Sequence, residues 1–316
     1  MSPPERAVPI DFLRGVPVPG NLDVRWIHGS PSPRHPTDPP LQVHGYDAHT
    51  FILRESKDVS FEAPFLFLLT GNDRALLLDT GATSDPRRFP VRGTVDRVLR
   101  DWLGQHPREE YELVVAHTHP HGDHVAGDSQ FLDRPKTRVI GKDLDALRTF
   151  FGFVRWPDEV VRFDLGGRVL EVFGIPGHHP ASLAVYDPWT GWLFTGDTVY
   201  PGRLYVRDMN AFLASLKRLV EFAASRRVTQ VMGCHVEMTR SAGRDYPIGT
   251  RYQPDEPPLP MSVGQLVAVR EASVSVADRP GPHAFEDFLI FNGPCTAAVL
   301  WQRLRALGLN LRHQLV

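Results

Sequence analysis

Cysteine is scarce in this chain: of 316 residues only two are cysteine, Cys234 and Cys295. A disulfide framework is thereby excluded, and one bridge is the most that could form. An excess of one charge is also lacking. Thirty-five basic residues against 37 acidic ones leave a formal net charge of -2, which gives no strong attraction to nucleic acid or to an anionic membrane. No apolar run approaches the ~20 residues that span a bilayer. The N-terminal stretch, broken by charges and prolines, has no continuous apolar core of the secretory kind. Neither nucleic acid nor membrane is therefore expected as a partner, and a soluble cytoplasmic protein is the expectation. Oligomeric state is left open.

A hydrophobic fraction of 42% and a charged fraction of 23% are ordinary for a chain that buries a substantial core. Apolar segments rich in β-branched and aromatic residues predict strands over Asp23 to His28, Gln42 to Arg54, Phe65 to Thr70, Ala75 to Leu78 and Glu112 to Ala116. Further strands are expected over Arg138 to Gly141, Val160 to Phe163, Val169 to Phe173, Leu183 to Tyr186, Trp192 to Thr195, Val228 to Met232 and Phe285 to Phe291. Helical spacing marks Thr94 to Leu103, Asp143 to Phe151, Asn210 to Ser225, Val263 to Glu271 and Thr296 to Leu307. The 29 prolines gather near the N-terminus and around 254 to 260, where loops are expected.

The most informative stretch runs from Val114 to Gly127, Val-Val-Ala-His-Thr-His-Pro-His-Gly-Asp-His-Val-Ala-Gly. Four imidazoles and a carboxylate follow a short apolar strand, too densely placed for packing to explain. Imidazole is the commonest metal ligand among side chains, and a tight turn lets neighbouring rings converge. His119 and His121 alternate as a pair suited to one metal, while Asp123 and His124 lie beyond the Gly122 turn and could face a second. Other metal-capable residues also follow strands: Asp79, His178, Asp197 and His235. Strand ends gathered at one edge would form a cleft.

With these residues in view, the segment Thr118-His119-Pro120-His121-Gly122-Asp123-His124 resembles the His-x-His-x-Asp-His signature of the metallo-β-lactamase superfamily. Leu77-Leu78-Asp79-Thr80-Gly81, Pro176-Gly177-His178, Thr195-Gly196-Asp197-Thr198 and Gly233-Cys234-His235 resemble further motifs of that family in the order it demands. The likeness covers about residues 40 to 240, and one departure is Ala126, where a second glycine is usual. The resemblance implies an αββα sandwich of two mixed sheets flanked by helices, an α/β fold. It also implies two divalent metal ions, one on His119, His121 and His178 and the other on Asp123, His124 and His235, with Asp197 bridging. Zinc is the expected metal, with iron or manganese as alternatives.

The branch resembled is that of glyoxalase II and lactonases, since true β-lactamases generally lack the bridging aspartate. The implied function is a hydrolase in which a hydroxide bridging the ions attacks a small ester, thioester or lactone, with Asp123 and Asp197 catalytic. The alternative is an oxidoreductase resembling the mononuclear iron persulfide dioxygenases. Residues 1-316 are expected to form one domain, with 1-40 as a Pro-rich arm on the surface. Residues 241-316 are expected as a C-terminal extension that completes or caps the sandwich. Lesser expectations are that Asp79 orients a ligand or the loop, that His117 packs or supports, and that His178 rather than neighbouring His179 is the ligand. Cys234 is expected as a small buried residue, Tyr200 and Tyr205 as packing side chains that could donate to an oxyanion, and Arg203 and Arg207 as solvated surface.

Overall fold

The computed structural model describes residues 8–314 apart from 14 and 33, so residues 1–7, 14 and 33 of the expected arm lie outside the described residues. The first half of the chain builds one six-stranded sheet from β1 (Leu41–Asp47), β2 (Thr50–Glu55), β3 (Phe65–Thr70), β4 (Arg74–Leu78), β5 (Glu112–Ala116) and β6 (Thr137–Val139), in that spatial order. β1 to β4 pair antiparallel and β4 to β6 parallel. The parallel part needs crossovers. Helix α1 (Val91–Gln105) makes the first, and the short helix α2 (Gly122–Val125) with a following 3-10 turn lies in the second. Helix α3 (Leu144–Phe151), capped by Asp143, leads out of this sheet.

A second six-stranded sheet holds β7 (Val160–Asp164), β8 (Val169–Gly174), β9 (Leu183–Asp187), β10 (Trp192–Gly196), β12 (Gln230–Gly233) and β13 (Pro260–Met261). Helix α4 (Met209–Ser225) makes the parallel crossover from β10 to β12. A small third sheet joins β11 (Arg203–Val206) to β15 (Leu289–Asn292) and β14 (Gly281–Ala284). Helices α5 (Val263–Ser275) and α6 (Thr296–Gln314) complete the chain.

Side chains alternate along a strand, and that alternation divides the core into three layers. In β3, Phe65, Phe67 and Leu69 point between the two large sheets, where they meet Val172, Val185, Trp192 and Phe194 of the second sheet. Leu66 and Leu68 point the other way, with Leu77 and Val115, onto Val95, Leu99 and Trp102 of α1. The outer face of the second sheet, including Phe173, Leu193 and Val231, packs on Phe212, Leu216 and Leu219 of α4 and Leu266 and Val269 of α5. Strands covered on both faces read as unbroken apolar runs. The result is the αββα sandwich.

The structure departs from the expected elements in several places. Asp23 to His28 forms no strand, and no helix or strand occurs among the described residues 8–40. The arm nonetheless does more than lie on the surface. Phe12 is buried edge-on against Trp189, with ring centroids 4.9 Å apart, and Ile27 is buried too. Gln42 to Arg54 folds as the β1–β2 hairpin. Phe285 to Phe291 is not one strand: residues before 285 form β14 and those from 289 form β15. β11 and β13 are short strands that the sequence does not announce. One buried cation ties the sheets together. Arg168 pairs with Asp187 at 2.6 Å and donates to the carbonyls of His49 and Thr70 in the facing half.

Candidate metal centre

Every expected ligand follows the C-terminal end of a strand. β4 runs into Asp79, β5 into the loop of His117 to His124, β8 into His178, β10 into Asp197 and β12 into Cys234 and His235. Two glycines allow the approach. Gly177 has φ +137°, and a Cβ there would lie 2.5 Å from Cα of Phe212, so the His178 loop can rest on the start of α4 only with glycine. Gly196 has φ +53° and would set a Cβ 2.7 Å from that of Thr118, beside the Asp197 turn.

The side chains converge as two groups. Nε2 of His119, Nδ1 of His121 and Nε2 of His178 lie 2.8, 2.9 and 3.2 Å from one another. In the second group, Nε2 of His124 and Nε2 of His235 are 3.4 Å apart and stand 3.5 and 3.3 Å from Oδ2 of Asp123. Asp197 faces both. Its Oδ1 is 3.5 Å from the inner nitrogens of His124 and His235, and its Oδ2 is 3.9 Å from those of His119 and His178.

The outer ring nitrogens show what these inner atoms are. Nδ1 of His178 donates to the Tyr205 carbonyl at 2.8 Å, and Nδ1 of His235 to the Glu62 carbonyl at 3.1 Å. Nδ1 of His124 donates to Oδ2 of Asp79 at 3.0 Å, while Nδ1 of His119 meets Thr118 Oγ1 at 3.2 Å. With the outer nitrogens of His119, His124, His178 and His235 engaged in this way, their inner nitrogens are left to face one another and Asp197, donor atoms placed to receive a cation. Oδ1 of Asp197 is buried without a hydrogen-bond partner among the described residues. Donors around a tetrahedral ion at ~2.0–2.1 Å stand about 3.3 Å apart, close to both sets of spacings. The residues fit divalent ions bound by nitrogen and carboxylate.

Electrostatics divides the same groups. Burial holds His119 and His178 below the ordinary imidazole pKa, and burial with the neighbouring His178 brings His121 down to about 4. Burial works the same way on His124 and His235, but carboxylates overcome it. Asp197 and Asp79 raise His124, and Asp197 and Asp123 take His235 up to about 9. Burial alone would raise the Asp123 and Asp197 carboxyls, yet His124 and His235 hold both well below the usual range.

Asp79 is the hub beneath the second group. Its Oδ1 accepts from the Thr118 backbone at 2.8 Å, and its Oδ2 accepts from Thr118 Oγ1, His124 Nδ1 and Cys234 Sγ. Asp79, His124 and Cys234 also cluster closely enough to suggest a metal site, but these hydrogen bonds already use Asp79. Cys234 is a small buried residue. Asp79→Ala is expected to weaken metal binding by about 10–100-fold with the fold retained. Chelator competition measures this, and an unchanged affinity would leave the hub without that role.

Other candidates fall outside the two groups. His117 pairs with buried Asp128 at 2.8 Å, and His179 accepts from the Ala181 backbone through Nδ1. The expected surface position of Arg203 is wrong. Its guanidinium is buried against Glu237 and Asp245, because those carboxylates from distant positions neutralise it. Tyr200 spends its buried hydroxyl on the Arg203 carbonyl and Glu237. Tyr205 instead accepts from Arg203 Nε at 3.2 Å. A cavity of about 630 Å³ opens from the inner donors and is lined by Tyr205 and Arg207, then by Ile248, Pro294, Val299 and Arg303 of the C-terminal part. Glu62, also on its wall, was invisible in the sequence, since it holds His235 through a backbone carbonyl that any residue possesses.

Comparison with known proteins agrees with this geometry. The family model described as the metallo-beta-lactamase superfamily matches residues 61–230. A hydroxyacylglutathione hydrolase of Synechococcus sp. is 32% identical over 171 residues, covering 51% of this chain and 62% of the relative. One from Ruegeria pomeroyi is 34% identical over 169 residues, 52% of this chain and 60% of the relative. The chain thus spans about three fifths of the length of these curated relatives. In fold it is similar to the DIM-1 metallo-beta-lactamase exposed to ceftazidime, with a TM-score of 0.51 and 14% identity, covering 75% of this chain and 98% of that one. A family match over more than half the chain, on the sandwich described above, means that this chain belongs to the metallo-beta-lactamase superfamily.

Proposed function

We propose that this chain is a dinuclear metal-dependent hydrolase of small esters, thioesters or lactones. His119, His121 and His178 would hold one divalent ion and Asp123, His124 and His235 the other, with Asp197 shared and zinc the first choice of metal. The observation that carries this reading is the placing of Asp197, one carboxylate oxygen toward each set of nitrogens. When bound, the ions supply water activation near neutral pH and polarisation of a substrate oxygen. Residues 1-316 act in this reading as one domain, with the segment after 241 shaping the cavity, as Ile248, Val299 and Arg303 on its wall support.

The chain's own groups have distinct tasks. Asp123 sits on the cavity wall within reach of His124 and His235, placed to carry a proton toward a leaving group. Tyr205 receives the Arg203 Nε–H at its oxygen, so its own proton is available to the cavity, where it can meet negative charge developing on an acyl oxygen. Tyr200, with its hydroxyl already committed, cannot do this. Tyr205→Phe is expected to lower kcat about 10²-fold with little change in metal content. Steady-state kinetics on the best substrate decides, and a kcat unchanged by the substitution removes Tyr205 from catalysis.

The relatives named hydroxyacylglutathione hydrolase support an acyl-glutathione thioester as the first compound to try. The test is metal quantification of the purified protein alongside a panel of thioesters, lactones and phosphoesters. Two zinc ions per chain with acyl hydrolysis is the expected result. One iron with thiol-dependent oxygen uptake would overturn the reading in favour of a persulfide dioxygenase.

A further inference from the structure

The loop that carries His119, His121, Asp123 and His124 is closed at its two ends by a pair of buried side chains. His117 follows β5 directly, and Asp128 lies in the 3-10 turn after α2. Nε2 of His117 donates to Oδ1 of Asp128 at 2.8 Å, with the two residues 6% and 5% exposed. Neither belongs to a donor group or lines the cavity.

A carboxylate withdrawn from water costs free energy unless its partners compensate, and Asp128 is compensated from three sides. Besides His117, its Oδ1 accepts from the Thr80 hydroxyl at 2.8 Å. Its Oδ2 stands 3.1 Å from Nζ of half-exposed Lys142. Thr80, His117 and Lys142 follow β4, β5 and β6 in turn, so three strand exits are tied to one carboxylate. Gly127 makes the approach possible, since a Cβ there would lie 2.3 Å from the Thr80 carbonyl oxygen.

Asp79 and Asp128 hold different parts of the loop. Asp79 accepts from the His124 ring, whereas Asp128 reaches the His124 backbone through Thr80, whose own N–H donates to the His124 carbonyl at 2.8 Å. We propose that His117 and Asp128 are positioning residues, a clip that sets the spacing of the loop's four donors before any ion arrives. The proposal rests on the metal reading above. The paired residues are eleven positions apart. Without their bond that span loses its closure, and ion binding must order four donors as well as contact them. Affinity falls although every donor is still present.

Chelator competition, with hydrogen exchange of the ion-free protein, tests the clip. His117→Leu and Asp128→Ala are each expected to weaken metal binding by about tenfold and to speed amide exchange across residues 117–128. Because the two side chains make one contact, the double variant should also lose about tenfold, where independent roles would multiply to about a hundredfold. Asp128→Asn keeps an oxygen able to accept both hydrogen bonds and should restore most of the affinity. Should Asp128→Ala fail to fold, His117→Leu decides by affinity and exchange alone. A merely structural role would lower the melting temperature and leave the affinity and the local exchange of the folded protein unchanged, and that result overturns the proposal. So do losses that multiply in the double variant, or an asparagine variant no better than alanine. A wild type that takes up no divalent ion would sink the metal reading itself, whereas variants that bind as tightly as the wild type sink only the clip.

Discussion

Asp197→Asn is expected to lower kcat/KM by on the order of 10³, about 4 kcal/mol of transition-state stabilisation, and to leave the protein with one tightly bound ion in place of two. Asp197 is the one side chain placed between both donor groups, with Oδ1 toward His124 and His235 and Oδ2 toward His119 and His178. Asparagine keeps the shape but offers a single neutral oxygen, so one group loses its share of the carboxylate. The buried imidazoles then lack the negative charge that balances two divalent cations. Elemental analysis and steady-state kinetics on the same preparation check this. A variant that keeps two ions and most of its activity would show that Asp197 does not join the groups.

Removing the ions should change the proton inventory of the protein. With the carboxylates around them, His124 is raised and His235 reaches about 9, so near pH 7 the ion-free site holds an extra proton on His235. Binding ions must expel it, and about one proton per chain should be released through this group. Titrations in buffers of different ionisation heat count the release. Affinity for the metal should therefore climb with pH until His235 deprotonates near 9. The ion-free fold has the opposite trend. A histidine whose folded pKa exceeds its unfolded value, ~6.5, contributes stability that is full below that value. It is lost as pH rises toward 9, on the order of 3 kcal/mol for His235. Chelated protein should thus unfold more easily at pH 9 than at pH 6, while the metal-loaded protein is much less sensitive. Equal proton release at pH 7 and pH 10 would contradict this account.

Much of the sandwich is legible in the sequence because β3, β4 and β5 are covered on both faces, and their unbroken apolar runs announce burial. The candidate site is legible for a different reason. Four of its seven residues lie within six positions of one loop, and the other three sit where strands end in glycine or in Gly-Cys. What stays hidden depends on distance. Arg203 looks like a surface cation because its neutralising partners, Glu237 and Asp245, lie 34 and 42 positions away. The β14–β15 hairpin is obscured because Gly281 to Ala284 has no apolar alternation. Leucines of α6 mark a helix well enough, but periodicity alone says nothing about which way they face.

The order of strands along the chain has a consequence for assembly. β1 to β6 use residues 41 to 139, and β7 to β13, apart from β11, make the facing sheet from residues 160 to 261, so each sheet belongs to one uninterrupted half of the polypeptide. The donors divide the same way. His119, His121, Asp123 and His124 belong to the first half, and His178, Asp197 and His235 to the second, and each donor group draws on both. Neither half owns a complete set. A chain cut between α3 and β7 would become two fragments, neither able to assemble either donor group without the other.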